Sequence, residues 1–522
     1  MRNYTVVLVF CLPFVLLYGT SFGQSYALDP TFGTGGIVIT DDVGPFEKDI
    51  PRAMAVLADD RIVVVGEVSD GPSDFGVVRY LENGILDPSF DFDGKTSTNI
   101  DFGTDRANSI AVQTDGKIVV AGSSQIGWVV EDKVIALVRY RNNGSKDNSF
   151  GGDGKVMISF ASLDLEISGQ SIAIQNDGKI LLACWLSGGV SPSNFMLVRL
   201  MPDGSFDNTF DGDGLVYTSV GTSGSGGRSV LVQEDGKIVV TGFSHNSDSL
   251  RQFSLVRYQD NGSLDNTFGE GGIVLTNLSG FNENCRVSKQ QVDGKIVVLG
   301  DVDNGTNKNL LVVRYNTDGS LDDAFGIDGG VTVDIASFHD LASSLAIQTD
   351  GKIVIAGSSG NGTNYDFAVV RLTNNGTLDS SFYGNGIVRN EIGEVDDIVT
   401  GVGIQSDGKI IVCGFLYNYE EFWLVNNIDF VVARYRVDGT TGLESEIGSQ
   451  SQIIYPNPSS GTINLRWNRK ENASLNIFNS LGQEVLQQQI TQSTSVELLE
   501  KGVYFARLDD GQRIYLEKIV IQ

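Results

Sequence analysis

Internal repetition constrains this chain more than any other feature. One motif recurs as ADDRIVVVG (58–66), TDGKIVVAG (114–122), NDGKILLAC (176–184), EDGKIVVTG (234–242), VDGKIVVLG (292–300), TDGKIVIAG (349–357) and SDGKIIVCG (406–414). Its first Asp falls at 59, 115, 177, 235, 293, 350 and 407, a period of about 58 residues. A chain built this way folds as a stack or ring of one repeated supersecondary unit.

Three further features keep step with the motif. Upstream lies a short apolar strand that usually ends in Gln (113, 175, 233, 348, 405). Downstream lies a strand ending in Arg (79, 139, 199, 257, 314, 371, 434), as in FGVVRY (75–80). Between units sits a connector such as LDPTFGTGG (28–36) or LDNTFGEGG (264–272), with a recurrent Phe (32, 90, 150, 210, 268, 325, 382). Asp-Gly between β-branched runs predicts a two-residue hairpin turn with positive φ angles. The recurrent Phe reads as an apolar plug between units, and the strand-end Arg as a partner for connector or turn Asp residues. A connector strand a (GIVIT, 36–40) followed by b, c and d makes four strands per unit. Seven such antiparallel units predict an all-β fold: a seven-bladed β-propeller of four-stranded blades. An open array or solenoid is the alternative.

The ends of the chain differ in character from this middle. Residues 1–23, MRNYTVVLVFCLPFVLLYGTSFG, hold one Arg, an apolar run and then small residues, the grammar of a secretory signal peptide cleaved after Gly23. No later stretch is long and apolar enough to span a bilayer, so the mature chain reads as not transmembrane. Removing the signal takes Cys11 with it and leaves Cys184, Cys285 and Cys413, with no CxxC or other close metal spacing. Cys184 and Cys413 read as buried small hydrophobes at equivalent strand positions where other copies carry Gly. The formal net charge of −28 argues against nucleic acid as a partner. Two histidines, His245 and His339, leave little stock for a His-based metal site.

The repeat units resemble the delta-60 repeat family in DGKIVVAG, the VRY strand and the LDxxFGxxG connector, over about residues 28–440. The resemblance implies a secreted or surface propeller with no settled activity. Copy 1 departs with DDR for DGK, and copy 2 with Lys146 for Leu. The domain division read here is 1–23 signal, 24–441 repeats, 442–451 polar linker and 452–522 tail. The tail carries four or five alternating strand signals and reads as a small C-terminal β-sandwich. It resembles the type A C-terminal sorting domain of the type IX secretion system. The match lies in Tyr455-Pro456-Asn457-Pro458 with Gly461, in IFNSLGQEV with Gly482, in Lys501-Gly502-Val503-Tyr504, and in the basic-apolar end at Lys518. That resemblance implies a Bacteroidetes-type bacterium, the type IX machinery as a partner, and release or attachment at the cell surface. It also implies that the tail is usually removed.

Motifs that carry chemistry are sparse. There is no HExxH, GxSxG, Walker loop or sialidase Asp-box, so no catalytic residue is named and an enzyme is the less favoured reading. Candidate calcium loops at Asp91/Asp93 and Asp211/Asp213 lack a downstream bidentate Glu and occupy a turn that other copies build differently; the expectation is no cofactor. The informative signal is an asymmetry. The b–c turns and d–a connectors are nearly uniform, whereas the loops at the opposite end vary from copy to copy. They include SSQIGWVVEDK (123–133), WLSGGVSPSN (185–194), FSHNSDSLRQ (243–252) and FLYNYEEFWLVNNID (415–429). Trp128, Trp185, Tyr417, Tyr419 and Trp423 fall there and are the candidate ligand contacts, because binding usually resides on variable loops over a rigid scaffold. Three functions are compatible with these features: a secreted or surface propeller that binds an extracellular glycan or protein, a secreted glycan hydrolase with carboxylates in a central channel, and a structural surface or matrix component.

Overall fold

The computed structural model describes residues 27–40, 49–69, 72–101, 103–126, 133–159, 165–188, 194–419 and 426–437 of the repeats. In the tail it describes 454–455, 462–465, 473–479, 483–491, 494–497, 501–509 and 514–521. Residues 1–23 and 442–451, read above as signal and linker, lie outside the described residues. All described elements are strands and turns, and among the described residues no helix is long and apolar enough to cross a membrane.

The repeats build seven four-stranded antiparallel sheets. Blade 2 shows the pattern: Asp105–Val112 is the inner strand, followed outwards by Ile118–Gln125, Lys133–Tyr140 and Lys155–Ile158. The β-branched runs occupy the two middle strands, which are buried on both faces (Ile118 to Ser124, Val134 to Tyr140). The outer strand is short, four residues in blade 2, which limits exposed sheet edge. Each inner strand touches the next, and the inner strand of blade 7 (Asp397–Ile404) touches that of blade 1 (Ile50–Val56), so the cycle is closed.

The blade boundary is offset from the sequence repeat. Strand a does not join the b, c and d strands that follow it; it pairs with strand d of the preceding copy, as Lys155–Ile158 does with Lys133–Tyr140. The first strand a, Ile37–Thr40, therefore has no preceding copy and completes blade 7, with Ile37 opposite Ala433 and Thr40 opposite Phe430. One sheet thus joins the two ends of the repeat region.

The b–c hairpin also differs from its predicted turn. The Gln113 amide bonds the Lys117 carbonyl at 2.8 Å and the Gly116 amide bonds the Gln113 carbonyl at 2.9 Å, a three-residue loop. Only Gly116, at φ 81°, is left-handed, and Asp115 turns its carboxylate onto the Lys117 amide. Copy 1 keeps the geometry with Asp60 at φ 64°, one of the few side chains that tolerates that region. The cysteines are buried as expected, but they are out of register with one another. Cys184 pairs with Gly169 and Met196, as Gly122 does with Ala107 and Ala136. Cys413 instead occupies the position of Ala121, one residue earlier.

The tail forms two sheets. One contains Ile454–Tyr455, Thr462–Leu465 and Thr494–Glu497; the other contains Glu484–Ile490, Ala473–Asn479, Gly502–Asp509 and Ile514–Ile521. Ile463 and Val496 of the first share one apolar cluster with Leu475, Ile477, Tyr504 and Ile519 of the second. That cluster contains tail residues alone.

Candidate functional site

The uniform end of the propeller is occupied by a belt of side chains that locks blade to blade. In every blade the strand-end Arg meets the connector Asp at 2.7–3.0 Å: Arg79–Asp87, Arg139–Asp147, Arg199–Asp207, Arg257–Asp265, Arg314–Asp322 and Arg371–Asp379. The seventh pair, Arg434–Asp29, is made across the ring closure at 3.0 Å. Each guanidinium carbon lies over the recurrent Phe at 4.3–4.8 Å, and all seven Phe are fully buried. The same Arg donates to a backbone carbonyl of the following blade, Arg79 to Asn142 and finally Arg434 to Glu82 of blade 1. The hairpin Lys approaches the same connector Asp, as Lys295 does Asp322 at 2.9 Å. In copy 1 Arg61 takes that place beside Asp87 at 3.2 Å, which explains why DDR replaces DGK without loss of the contact. These residues recur because every blade needs them for packing.

Two sets of carboxylates respond to pH in opposite directions. At the belt, burial works to raise the pKa values of Asp87, Asp207, Asp265 and Asp379, but Ser or Thr hydrogen bonds and the Arg charge outweigh it and hold them down at about 2. At the opposite end, buried acids at the start of the inner strands anchor the a–b loops. Asp105 accepts from the Ile100 amide, Asp340 from Ile335 and Asp397 from Ile392, at 2.7–2.8 Å. Burial dominates there and pushes Asp105 and Asp397 up to about 7. Raised carboxyl values stabilise the fold fully below the unfolded value of 3.8 and lose that contribution as pH rises through about 7. Depressed values stabilise it above 3.8 and lose that contribution as pH falls towards about 2. The melting temperature should therefore peak in acidic solution, near pH 4, where both contributions are largely present, and fall on both sides. Asp397→Asn should flatten the alkaline limb alone, and a melting series from pH 3 to 8 on both proteins checks this.

The variable end and the axis carry what the repeat leaves free. Each inner strand has a β-bulge at the same register, that of blade 4 having a second irregularity between Ser223 and Gly226, and the shared bulged residues are Arg52, Asn108, Gln170, Arg228, Arg286, Ser343 and Thr400. Every one is polar and none is buried, in strands whose flanking residues are small or apolar. On the neighbouring strand the facing slot, one residue after strand c's Gly or its equivalent, holds Glu67, Ser123, Trp185, Phe243, Asp301, Ser358 and Phe415. In blade 1 this slot pairs Glu67 with Arg52, and in blade 5 it pairs Asp301 with Arg286 at 3.0 Å. In blades 3, 4 and 7 it holds aromatics instead.

Of the residues predicted for binding, Trp185 lies at this ring, half-buried. A Cβ on Gly226 of blade 4 would meet its Cδ1 at 2.5 Å, so the indole rests against the next inner strand where only glycine leaves room. Tyr417 is half-buried in blade 7, edge-on to Phe415 with 5.3 Å between ring centres. The two are on non-adjacent blades and do not form one patch. The last c–d loop is shorter than its sequence suggests: Ile410–Tyr419 and Asn426–Tyr435 stay paired out to Tyr419 opposite Asn426, and Phe415 is buried. Trp128 and Trp423 lie outside the described residues, and of Tyr419 the backbone alone is described. In the tail, Gly502 and Tyr504 lie in the central strand with Tyr504 buried, and Tyr455 and Lys518 lie in strands; Pro456, Asn457, Pro458, Gly461 and Gly482 lie outside the described residues. Asp93 and Asp213 each accept from a strand amide, Lys95 at 2.9 Å and Leu215 at 3.0 Å, and the uncharged Asn385 does the same for Ile387. Asp91 and Asp211 are left-handed turn residues. Among the described residues no group of three or more His, Cys, Asp or Glu could hold a metal ion. Sequence reasoning missed Arg228 and Phe243. The bulged residue always precedes the hairpin Asp by seven positions, a regular slot filled irregularly, and that contrast was the available signal.

Comparison with known proteins bears on both parts of the chain. The model of the "domain of unknown function (DUF5122) beta-propeller" matches seven times, at 57–90, 113–150, 175–210, 233–268, 291–325, 348–382 and 405–441. The model of the secretion system C-terminal sorting domain matches 453–522. No curated protein matches the chain. Among solved structures, a streptogramin B lyase aligns at 10% identity over 77% of this chain and 98% of its own, with a TM-score of 0.44. A polysaccharide lyase described as an ulvan lyase aligns at 10% identity over 77% and 96%, also with a TM-score of 0.44. A protein of unknown function from Dyadobacter fermentans aligns at 11% identity over 77% and 100%, with a TM-score of 0.39. At this level nothing of the lyases' chemistry transfers. The chain is a seven-repeat β-propeller of the DUF5122 family that ends in a type IX secretion C-terminal sorting domain.

Proposed function

We propose that this protein is exported in two steps, by the signal peptide at 1–23 and then by the sorting tail, and works outside the cell as a binding propeller. The observation that carries the reading is the division of labour between the two ends of the ring. The uniform end is filled by interblade Arg, Asp, Lys and Phe side chains, which leaves the axis and variable loops as the surface where copies differ. The ligand is an extracellular glycan or protein, and the aromatic-rich segment 415–429, the end of the last c–d hairpin with Tyr417, Tyr419 and Trp423, is one contact region. The buried acids near the axis are occupied in anchoring loops, which weighs against the glycan hydrolase reading.

The test is a titration of the mature chain against surface glycans and proteins, with product analysis alongside. Saturable binding without turnover is expected. Trp423→Ala should then weaken binding by roughly 2 kcal/mol, about thirtyfold, and leave the melting temperature nearly unchanged. Turnover abolished by one channel carboxylate variant would replace the binding reading with the hydrolase one. A Trp423→Ala protein that melts early and binds normally would remove that loop from the site.

A further inference from the structure

Arg228 is the odd member of the bulge ring. Arg52 and Arg286 stand at the same register and each faces a carboxylate from its own blade. Arg228 faces Phe243 at 5.7 Å in its own blade and Trp185 at 5.7 Å in the preceding one. Its described hydrogen bond goes to the neutral Gln170 at 2.9 Å, and no described carboxylate lies within ion-pair distance. Burial disfavours its charge, and the neighbouring Arg286 and Arg251 disfavour it further. Arg251 lies over the same Phe243 ring at 4.7 Å and donates to Asn284 at 2.8 Å. Two guanidiniums thus lie over the Phe243 ring, with Trp185 beside one of them, where blades 1 and 5 supply Glu or Asp. A cation held half out of water without a counter-ion is costly, and an anionic ligand would relieve that cost.

We infer that Gln170, Trp185, Arg228, Phe243, Arg251 and Asn284 form a binding site, on the axial side of blades 3 to 5, for an acidic sugar residue of a glycan. This deepens the binding reading above and rests on it. The guanidiniums match a planar or tetrahedral oxyanion, carboxylate or sulfate ester, with paired N–H donors. The half-buried Trp185 ring offers an apolar face to the C–H side of a pyranose and Gln170 an amide to its hydroxyls, while the buried Phe243 backs the two guanidiniums and Asn284, which donates to Asp301 at 3.1 Å, holds Arg251 in place. The overall charge of −28 opposes dense polyanions such as nucleic acid more than a short acidic oligosaccharide, which meets fewer like charges and is held by local contacts.

The test uses the full mature chain in calorimetric titrations with trigalacturonate, a sulfated galactan trisaccharide and the neutral galactan trisaccharide. One of the two acidic probes should bind at least about tenfold more tightly than the neutral one, and the stronger identifies the oxyanion. Arg228→Gln and Trp185→Ala should each weaken that binding about tenfold or more, while Arg52→Gln, in blade 1, should leave it unchanged. Arg251→Gln serves if Arg228→Gln does not fold. Equal affinity for acidic and neutral sugars, or full affinity in both arginine variants, would overturn the inference. So would a chain that binds a different surface ligand and neither acidic sugar, and that result would leave the binding reading standing. A chain that binds nothing in the wider screen would overturn both.

Discussion

A chain ending at Ser451 should cross the inner membrane and then accumulate in the periplasm, while the intact protein reaches the cell surface or medium. The physical basis is the independence of the tail. Among the described residues its core, from Ile463 to Ile521, draws on no residue of the repeats, so cutting before it removes a module with a core of its own. The sorting-domain match covers 453–522, so the truncation removes all of it. The repeats should melt at the same temperature with and without the tail, which separates lost address from lost fold. Cell fractionation with immunodetection checks both halves. Truncated protein outside the cell at the intact protein's level would contradict the export account.

The fold was legible in the sequence because its instructions are written seven times. Asp and Gly at six of the seven hairpins, β-branched runs on each side and a Phe in each connector agree with one another, and such agreement across levels specifies a single structure. The Arg–Asp pairing was readable from charge and recurrence. Its reach into the next blade was not, because a motif records what a residue is and not which copy it touches. The offset of strand a has a similar cause. Leu264 to Thr276 forms a compact connector and strand whose local hydrogen bonds, such as Gly272 to Phe268, fold it back on the strand before it. Sequence periodicity is indifferent to where a unit is cut.

The candidate site was less legible. Trp185 stood out as an aromatic in a variable loop, and the structure makes it a strand residue resting on Gly226. Arg228 looked like noise within the repeat. Its meaning depends on the facing slot, which lies fifteen residues later in Phe243 and on another strand in Trp185. The turn misreading at DGK is instructive for the opposite reason. One left-handed residue suffices in a three-residue loop, and Asp60 shows that the requirement is for φ and not for glycine itself.

The closed ring is the claim on which the rest depends, since it turns the repeated residues into a lock and frees the variable end. Its closing elements are the strand Ile37–Thr40, the buried Phe32 and Asp29 beside Arg434. Removing them leaves Arg434 buried without its carboxylate, at about 3–5 kcal/mol, and forfeits a fully buried Phe, at about 3–5 kcal/mol more. That sum is comparable with the whole stability of an ordinary domain, about 5–15 kcal/mol. The most direct measurement is denaturant unfolding of a chain beginning at Gln24 against the same chain beginning at Asp41. A closed ring predicts loss of the cooperative transition or a midpoint shift matching most of that sum. An open solenoid would lose only an end strand, and an unchanged midpoint in the shortened chain would contradict the ring.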